Sequence, residues 1–259
     1  MTTWTLITGA SEGLGVEFAR LAARNGRNMI LTARSEDKLQ ALATELRSPE
    51  VDVVVIPADL NDMAQVDKMW AQASKDRQID YLINNAGLGS NDAFADAESW
   101  DRELASINVN ILALNRLMKL AIAHMAVQRS GRILNVASVA AFVPGPNMAV
   151  YHATKAYVLS LSEAVRHELR GTGITVTALC PGATQTQFFE AADMTSARIL
   201  KLSPPARADQ VAEAGWKGAL AGRAVVVPGL LNKLSAFMPR LSPRAITVSL
   251  TAFIMAKEK

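Results

Sequence analysis

The sequence predicts a doubly wound α/β fold: a parallel sheet of about seven strands with helices on both faces. Three observations carry this. Seven short apolar or β-branched runs alternate with segments of helical periodicity. The runs are continuously apolar rather than alternating, as strands covered on both faces are. The first run ends in a glycine-rich turn that opens directly into a helical segment.

The chain begins with a strand at Thr3–Thr8 and a helix at Gly13–Asn25, followed by a strand at Asn28–Thr32 and a helix at Glu36–Arg47. A third strand, Val51–Pro57, precedes the helix Met63–Lys75, and a fourth, Asp80–Asn84, precedes one long helix, Trp100–Arg129. Then come Arg132–Ala137 with helix Val150–Gly171, Ile174–Leu179 with helix Ala208–Leu220, and the closing strand Ala224–Val227. Right-handed crossovers between parallel strands put helices on both sides. Ligands of such sheets sit at the carboxyl ends of the strands, so the residues just after each strand are the ones that matter.

Composition narrows the function. The chain has 259 residues, 50% of them apolar, so it can bury a large core. Lys plus Arg number 27 against 24 Asp plus Glu, a balance too even to argue for nucleic acid. Cys180 is the single cysteine, which excludes an intramolecular disulfide, and nothing at Met1 reads as a leader, so the expected compartment is the reducing cytoplasm. No stretch is apolar for long enough to span a bilayer.

The turn after the first strand is Thr8-Gly9-Ala10-Ser11-Glu12-Gly13-Leu14-Gly15. Gly9 allows the tight turn, Gly13 lets backbone approach a pyrophosphate, and Gly15 permits close helix-on-strand packing, while the helix N-terminus offers free N–H groups. The spacing departs from the G-x-G-x-x-G dinucleotide fingerprint. After the second strand, Ala33 stands where a ribose-binding carboxylate is wanted for NAD, and Arg34 follows with a guanidinium suited to a 2′-phosphate. NADP is therefore expected over NAD. Glu12 is the objection, because it brings negative charge to the phosphate loop.

After the fifth strand comes Ser138, with Tyr151 and Lys155 on the next helix. Residues at i and i+4 share a helix face, so Tyr151 and Lys155 project together and Ser138 can meet them. An ammonium close by would lower the phenol pKa, letting Tyr151 exchange a proton with an alkoxide or alcohol while Ser138 holds the same oxygen.

At these residues the sequence resembles the short-chain dehydrogenase/reductase family, in its shorter single-domain branch. The resemblance runs through Thr8 to Gly15, Asp59-Leu60, Asn84-Asn85-Ala86-Gly87, Asn110, Ser138, Tyr151-His152-Ala153-Thr154-Lys155 and Pro181-Gly182-Ala183-Thr184-Gln185-Thr186, covering roughly residues 4 to 229. It implies a Rossmann sheet and cofactor contacts from Gly9, Ser11, Gly13, Leu14 and Gly15. Asp59 and Leu60 would border the adenine, Asn85, Ala86 and Gly87 would floor the site, and Pro181, Gly182, Thr184 and Thr186 would flank the nicotinamide. Tyr151 would touch the cofactor, and Lys155 would also hold the nicotinamide ribose. Asn110 matches the fourth catalytic residue, behind the lysine; Asn108 leaves a register ambiguity. The long helices would pair two copies into a homodimer, with Leu112, Leu117, Leu120, Ala156, Leu159 and Ala164 available for the contact.

The resulting expectation is an NADP(H)-dependent oxidoreductase of a carbonyl or secondary alcohol on an apolar small molecule. The alternatives are a 3-oxoacyl thioester reductase and a non-catalytic nucleotide sensor, the latter disfavoured by the presence of Tyr151 and Lys155. His152 points away from Tyr151 and is read as structural, and His124, His167 and Cys180 compose no metal site. Phe142, Val143, Met148, Phe188, Phe189, Met194, Ile199 and Leu200 are candidates to line the substrate pocket. Residues 1–229 form the expected catalytic domain and residues 230–259 an appendage of two short amphipathic helices, with Lys233, Arg240, Arg244, Lys257 and Lys259 against Glu258. These helices are expected to dock on the protein's own surface in preference to a membrane, and to limit assembly to the dimer.

Overall fold

A computed structural model describes residues 3–194, 198 and 204–256. Seven parallel strands run in the order β3-β2-β1-β4-β5-β6-β7. They are β1 Thr3–Thr8, β2 Asn28–Thr32, β3 Val53–Val55, β4 Gln78–Asn84, β5 Gly131–Val136, β6 Ile174–Leu179 and β7 Val225–Val226. The order reverses between β1 and β4, so the connections leaving these two strands diverge and open a crevice at their carboxyl ends.

Between the strands lie α1 Gly13–Arg24, α2 Glu36–Leu46, α3 Met63–Ser74, α4 Trp100–Ile107, α5 Leu114–Ala126, α6 Ala149–Glu168, the single turn α7 Phe188–Ala191, and α8 Ala208–Leu220. The tail supplies α9 Leu230–Phe237 and α10 Arg244–Met255. Consecutive strand residues feed opposite layers. Leu6 and Ile30 join one core with Trp70, Leu117 and Val158, and Ile7 and Leu31 join the other with Phe18, Leu42 and Trp216. Burial on both faces is why the runs are continuously apolar.

Two boundaries move for identifiable reasons. The edge strand β3 pairs with β2 at three positions only, and Val51 turns back to bridge Ser48, which shortens the expected Val51–Pro57. The helix expected as Trp100–Arg129 is interrupted: Asn108–Ala113 widen into a turn of π geometry between α4 and α5. Such a turn is a local defect that packing must over-determine, and periodicity does not reveal it.

Candidate active site

β1 delivers the glycine loop into the crevice, and β4 holds it there. Asn85, just past β4, donates from its Nδ2 to the carbonyls of Thr8 and Gly9 at 2.9 and 3.1 Å. In return Thr8 Oγ1 accepts from the backbone N–H groups of Asn85 and Ala86, each at 3.0 Å. Gly9 has φ +63° and Gly13 +55°, and a Cβ on Gly15 would lie 2.1 Å from the Gly9 carbonyl oxygen. Helix α1 therefore rests directly on the loop. No side chain caps its first turn, and no acidic residue sits in it, so its N–H groups face the crevice unneutralised.

Glu12, the objection raised by the sequence, is paired with Lys38 of α2. The pair removes much of the negative charge from the loop. Arg34 is exposed at the crevice edge and makes no ion pair with any described residue, while Ala33 is buried at its side. Asp59 turns its carboxylate onto the backbone N–H of Asn61 at 3.0 Å, and Leu60 is buried beneath it. This cradle fits a dinucleotide: left-handed glycines where side chains would collide, an uncapped helix start for phosphate, and a free guanidinium at the ribose end.

At the other end of the crevice, Ser138 follows β5 and caps the next turn, its Oγ accepting from Ala140 N–H at 3.1 Å. Tyr151 and Lys155 lie one turn apart on α6. The lysine Nζ donates to the Val136 carbonyl at 2.9 Å and sits 5.7 Å from the centre of the tyrosine ring. Burial pushes the Tyr151 phenol up to about 12, against a hydrogen bond with Ser138 that pulls it down. Burial also pushes Lys155 down to about 8. The expected lowering of the phenol by the ammonium does not emerge: desolvation dominates, and the group that pulls the phenol down is Ser138.

Asn110 is turned inward, toward Leu88 and Thr154. Its side chain accepts from Leu88 N–H at 2.9 Å and donates to the Leu88 carbonyl at 2.8 Å and to Thr154 Oγ1 at 2.9 Å. Asn108 instead reaches Asn61 on the exposed side. Gly87 is wedged between Asn110 and the lysine, and a Cβ there would lie 3.1 Å from Lys155 Nζ and 3.4 Å from Asn110 Oδ1. Thr154 was not singled out by the sequence, although it lies between the two residues that were. Below the site, Asn84, Asn135 and Ser162 form a buried chain of hydrogen bonds of 2.9 Å each. The facing asparagines on β4 and β5 are the signal that could have found it.

The loop after β6 closes the far wall. Pro181 and Thr184 are buried there, with Thr184 Oγ1 donating to the Gly182 carbonyl at 3.0 Å. A Cβ on Gly13 would lie 2.8 Å from the Thr186 methyl, so this loop sits against the glycine turn. Gly182 lets α9 approach: a Cβ there would lie 2.3 Å from Asn232 Oδ1.

Together these elements enclose a cavity of about 880 Å³. Gly9, Ser11, Gly13, Leu14, Arg34, Asp59, Leu60, Asn85, Ala86, Gly87, Ser138, Tyr151, Lys155, Pro181, Gly182, Thr184 and Thr186 all line it. Gly15 and Asn110 lie behind its wall. Val143, Met148, Phe188, Phe189 and Met194 face the cavity next to Tyr151, and the Phe188 ring lies 5.3 Å from the tyrosine ring. Phe142 instead joins the core packed on the sheet, and Ile199 and Leu200 lie outside the described residues. Residues of α9 and α10, among them Leu234, Ile246 and Leu250, complete the wall. His152 is buried with Nδ1 2.8 Å from the Val143 carbonyl, and His124 Nε2 accepts from Ile79 N–H. No group of metal-ligating residues occurs among the described residues.

Residues 3–196 match the short chain dehydrogenase family. The chain belongs to this family. Membership makes it an oxidoreductase of CH–OH and C=O groups that works with a nicotinamide cofactor. Among curated proteins, the ketoacyl reductase HetN of Nostoc sp. is 33% identical, over 99% of this chain and 85% of that one. A short-chain dehydrogenase from Sphingobium yanoikuyae in complex with NADPH superposes with a TM-score of 0.80 at 33% identity, covering 93% of this chain and 95% of the other. The 3-ketoacyl-(acyl-carrier-protein) reductase from Brucella melitensis complexed with NADH gives 0.74 at 28%, covering 88% and 97%. The short-chain dehydrogenase frame is thus compatible with either nicotinamide cofactor.

Proposed function

We propose that this short-chain dehydrogenase transfers hydride between NADP(H) and the carbonyl or secondary alcohol of a bulky apolar small molecule. The observation that carries the reading is the convergence of Ser138, Tyr151 and Lys155 on a cavity where Phe188, Phe189 and Met194 pack beside the tyrosine. Gly9, Ser11, Gly13, Leu14 and Gly15 would hold the pyrophosphate, and Arg34 the 2′-phosphate, with Ala33 leaving room where a carboxylate would repel it. Asp59 and Leu60 would border the adenine. Asn85, Ala86, Gly87, Pro181, Gly182, Thr184 and Thr186 would seat the nicotinamide end. The bound nicotinamide supplies or accepts the hydride.

The chain's own residues manage the proton. Tyr151, a phenol that is protonated at neutral pH and that burial keeps so by raising its pKa further, donates to the developing alkoxide. Ser138 hydrogen-bonds the same oxygen and fixes it against the tyrosine. Lys155, still largely an ammonium at neutral pH, stabilises charge left on the phenol and holds the ribose. Asn110, clamped to Leu88 and Thr154, positions the widened turn behind the lysine, where backbone released from regular helical bonding can support a water in the proton path.

A narrower reading, reduction of a 3-oxoacyl thioester, is favoured by the apolar cavity and the HetN likeness. Both readings place the protein in the cytoplasm as a homodimer. The test is NADPH oxidation by purified protein across bulky ketones, aldehydes and 3-oxoacyl thioesters. Turnover confined to the thioesters selects the narrower reading, and no turnover on any arm overturns both.

A further inference from the structure

The tail helices are packed the wrong way out for a protein that meets only water. Nine of the fifteen exposed large apolar side chains among the described residues lie between positions 230 and 253; Leu231, Leu234, Met238, Ile246 and Leu250 also line the cavity, and Leu230, Phe237, Leu241 and Phe253 lie outside it. In α9, Leu230, Leu234 and Phe237 share one face, continued by Leu241, and all are more than half exposed. In α10 the inversion is plainer. Thr247 and Thr251 are buried, their hydroxyls bonded back to the carbonyls of Pro243 and Thr247, while Ile246, Leu250 and Phe253 are each exposed by 56% or more. A soluble amphipathic helix buries its apolar stripe. This one shows it.

The charge on the segment selects what covers that stripe. Residues 229–256 contain Lys233, Arg240 and Arg244, all exposed, and no acidic residue. Arg198 adds a further cation, its guanidinium 4.4 Å from the Phe253 ring centre. A second copy meeting this face about a twofold axis would bring the cations against their duplicates with no carboxylate in the segment to answer them. An acidic protein would answer the charge but leaves the length of the apolar stripe unexplained. An anionic lipid surface answers both, because apolar side chains enter the acyl boundary while Lys and Arg reach the phosphates.

We propose that α9 and α10 form a platform that docks this protein peripherally on an anionic bilayer, with the cavity mouth at the lipid surface. Leu234, Ile246 and Leu250 belong both to the exposed stripe and to the cavity wall, so the stripe runs into the mouth. An apolar substrate dissolved in the bilayer would then reach Tyr151 without crossing water. The helices do dock on the protein, through Asn232, Thr247 and Thr251, and the membrane contact that ranks second in the sequence reading is added to that docking. The docking is independent of the proposed reaction: lipid binding without turnover leaves the platform standing and removes the other reading.

The test is co-sedimentation of the full chain with phosphatidylglycerol-rich vesicles and with pure phosphatidylcholine vesicles, at low and high salt. Binding is expected to the first at low salt and to weaken with salt. The triple variant Lys233→Gln, Arg240→Gln, Arg244→Gln should bind on the order of a hundredfold more weakly. The double variant Leu241→Gln, Phe253→Gln, at positions outside the cavity wall, should lose at least about tenfold. An unchanged melting temperature and retained NADPH binding show that each variant is folded. Failure of the intact protein to sediment with phosphatidylglycerol-rich vesicles at low salt overturns the proposal. So does undiminished binding by the folded Leu241/Phe253 variant, or dissociation of an oligomer by it in light scattering, which would give the face to a second copy.

Discussion

Lys155 lies 5.7 Å from the centre of the Tyr151 ring and spends its hydrogen bond on the Val136 carbonyl, not on the phenol oxygen. The lysine is therefore no hydrogen-bond partner of the phenol, and the group that pulls the phenol pKa down against burial is Ser138. Tyr151→Phe removes that hydroxyl and keeps the ring against Phe188. Turnover should fall by roughly a hundredfold or more, with NADPH binding nearly unchanged by fluorescence titration. A Phe variant with most of its activity would remove the proton-donor assignment.

Lys155 also sets a pH limit. Its folded pKa, lowered by burial to about 8, means the ammonium is present at neutral pH and is lost as pH rises through that value. Carbonyl reduction should be level near neutrality and decline above about pH 8. Lys155→Arg keeps a charge that does not titrate in this range, so a slower enzyme without the alkaline decline is expected. An identical decline in the Arg variant would assign the limb to another group.

Arg34 makes no ion pair with any described residue at the edge of the crevice, whereas Glu12 is already engaged by Lys38. Arg34→Ala should therefore shift preference toward NAD by at least about tenfold, or about 1.4 kcal/mol. Equal affinity of the unmodified protein for NADP and NAD, measured by titration, would count against the 2′-phosphate role.

Gly15 has no room for a side chain, since a Cβ would sit 2.1 Å from the Gly9 carbonyl oxygen. The atom it meets is backbone and cannot rotate away. Gly15→Ala should cost about 2–3 kcal/mol in chemical denaturation and abolish NADPH binding, because α1 must lift off the loop it rests on. Gly26, with open space around it, is the control; its positive φ limits the comparison to a change of at most about 1 kcal/mol on substitution by Asn.

For assembly, Leu117 and Leu159 are consumed by the monomer core, leaving Leu112, Ala156 and Ala164 exposed on the faces of α5 and α6 and the turn before them. Light scattering should give a dimer, and Ala156→Arg should split it while the fold persists. A stable monomer at micromolar concentration would remove the dimer.

The sequence by itself determined what near neighbours determine. Continuous apolar runs between turn residues located all seven strands, because burial on both faces acts on every residue of a strand. Four-residue spacing on a helix was enough to put Tyr151 beside Lys155, and the glycines of the first turn announced a close backbone approach that a Cβ would prevent. Tertiary structure decided whatever depends on residues far apart in the chain. Asn110 rather than Asn108 is buried against Leu88 and Thr154, behind the cavity wall, through contacts between segments far apart in the chain. Glu12 is answered by Lys38 only because α1 and α2 start side by side at the crevice. Phe142 and Met148 have similar apolar surroundings in sequence, yet one packs on the sheet and the other faces the cavity. The periodicity of the tail announced amphipathic helices without saying which stripe would face inward. That choice belongs to tertiary packing: Thr247 and Thr251 take the buried positions, Ile246 and Leu250 stay exposed along the cavity wall, and Phe253 stays exposed outside it.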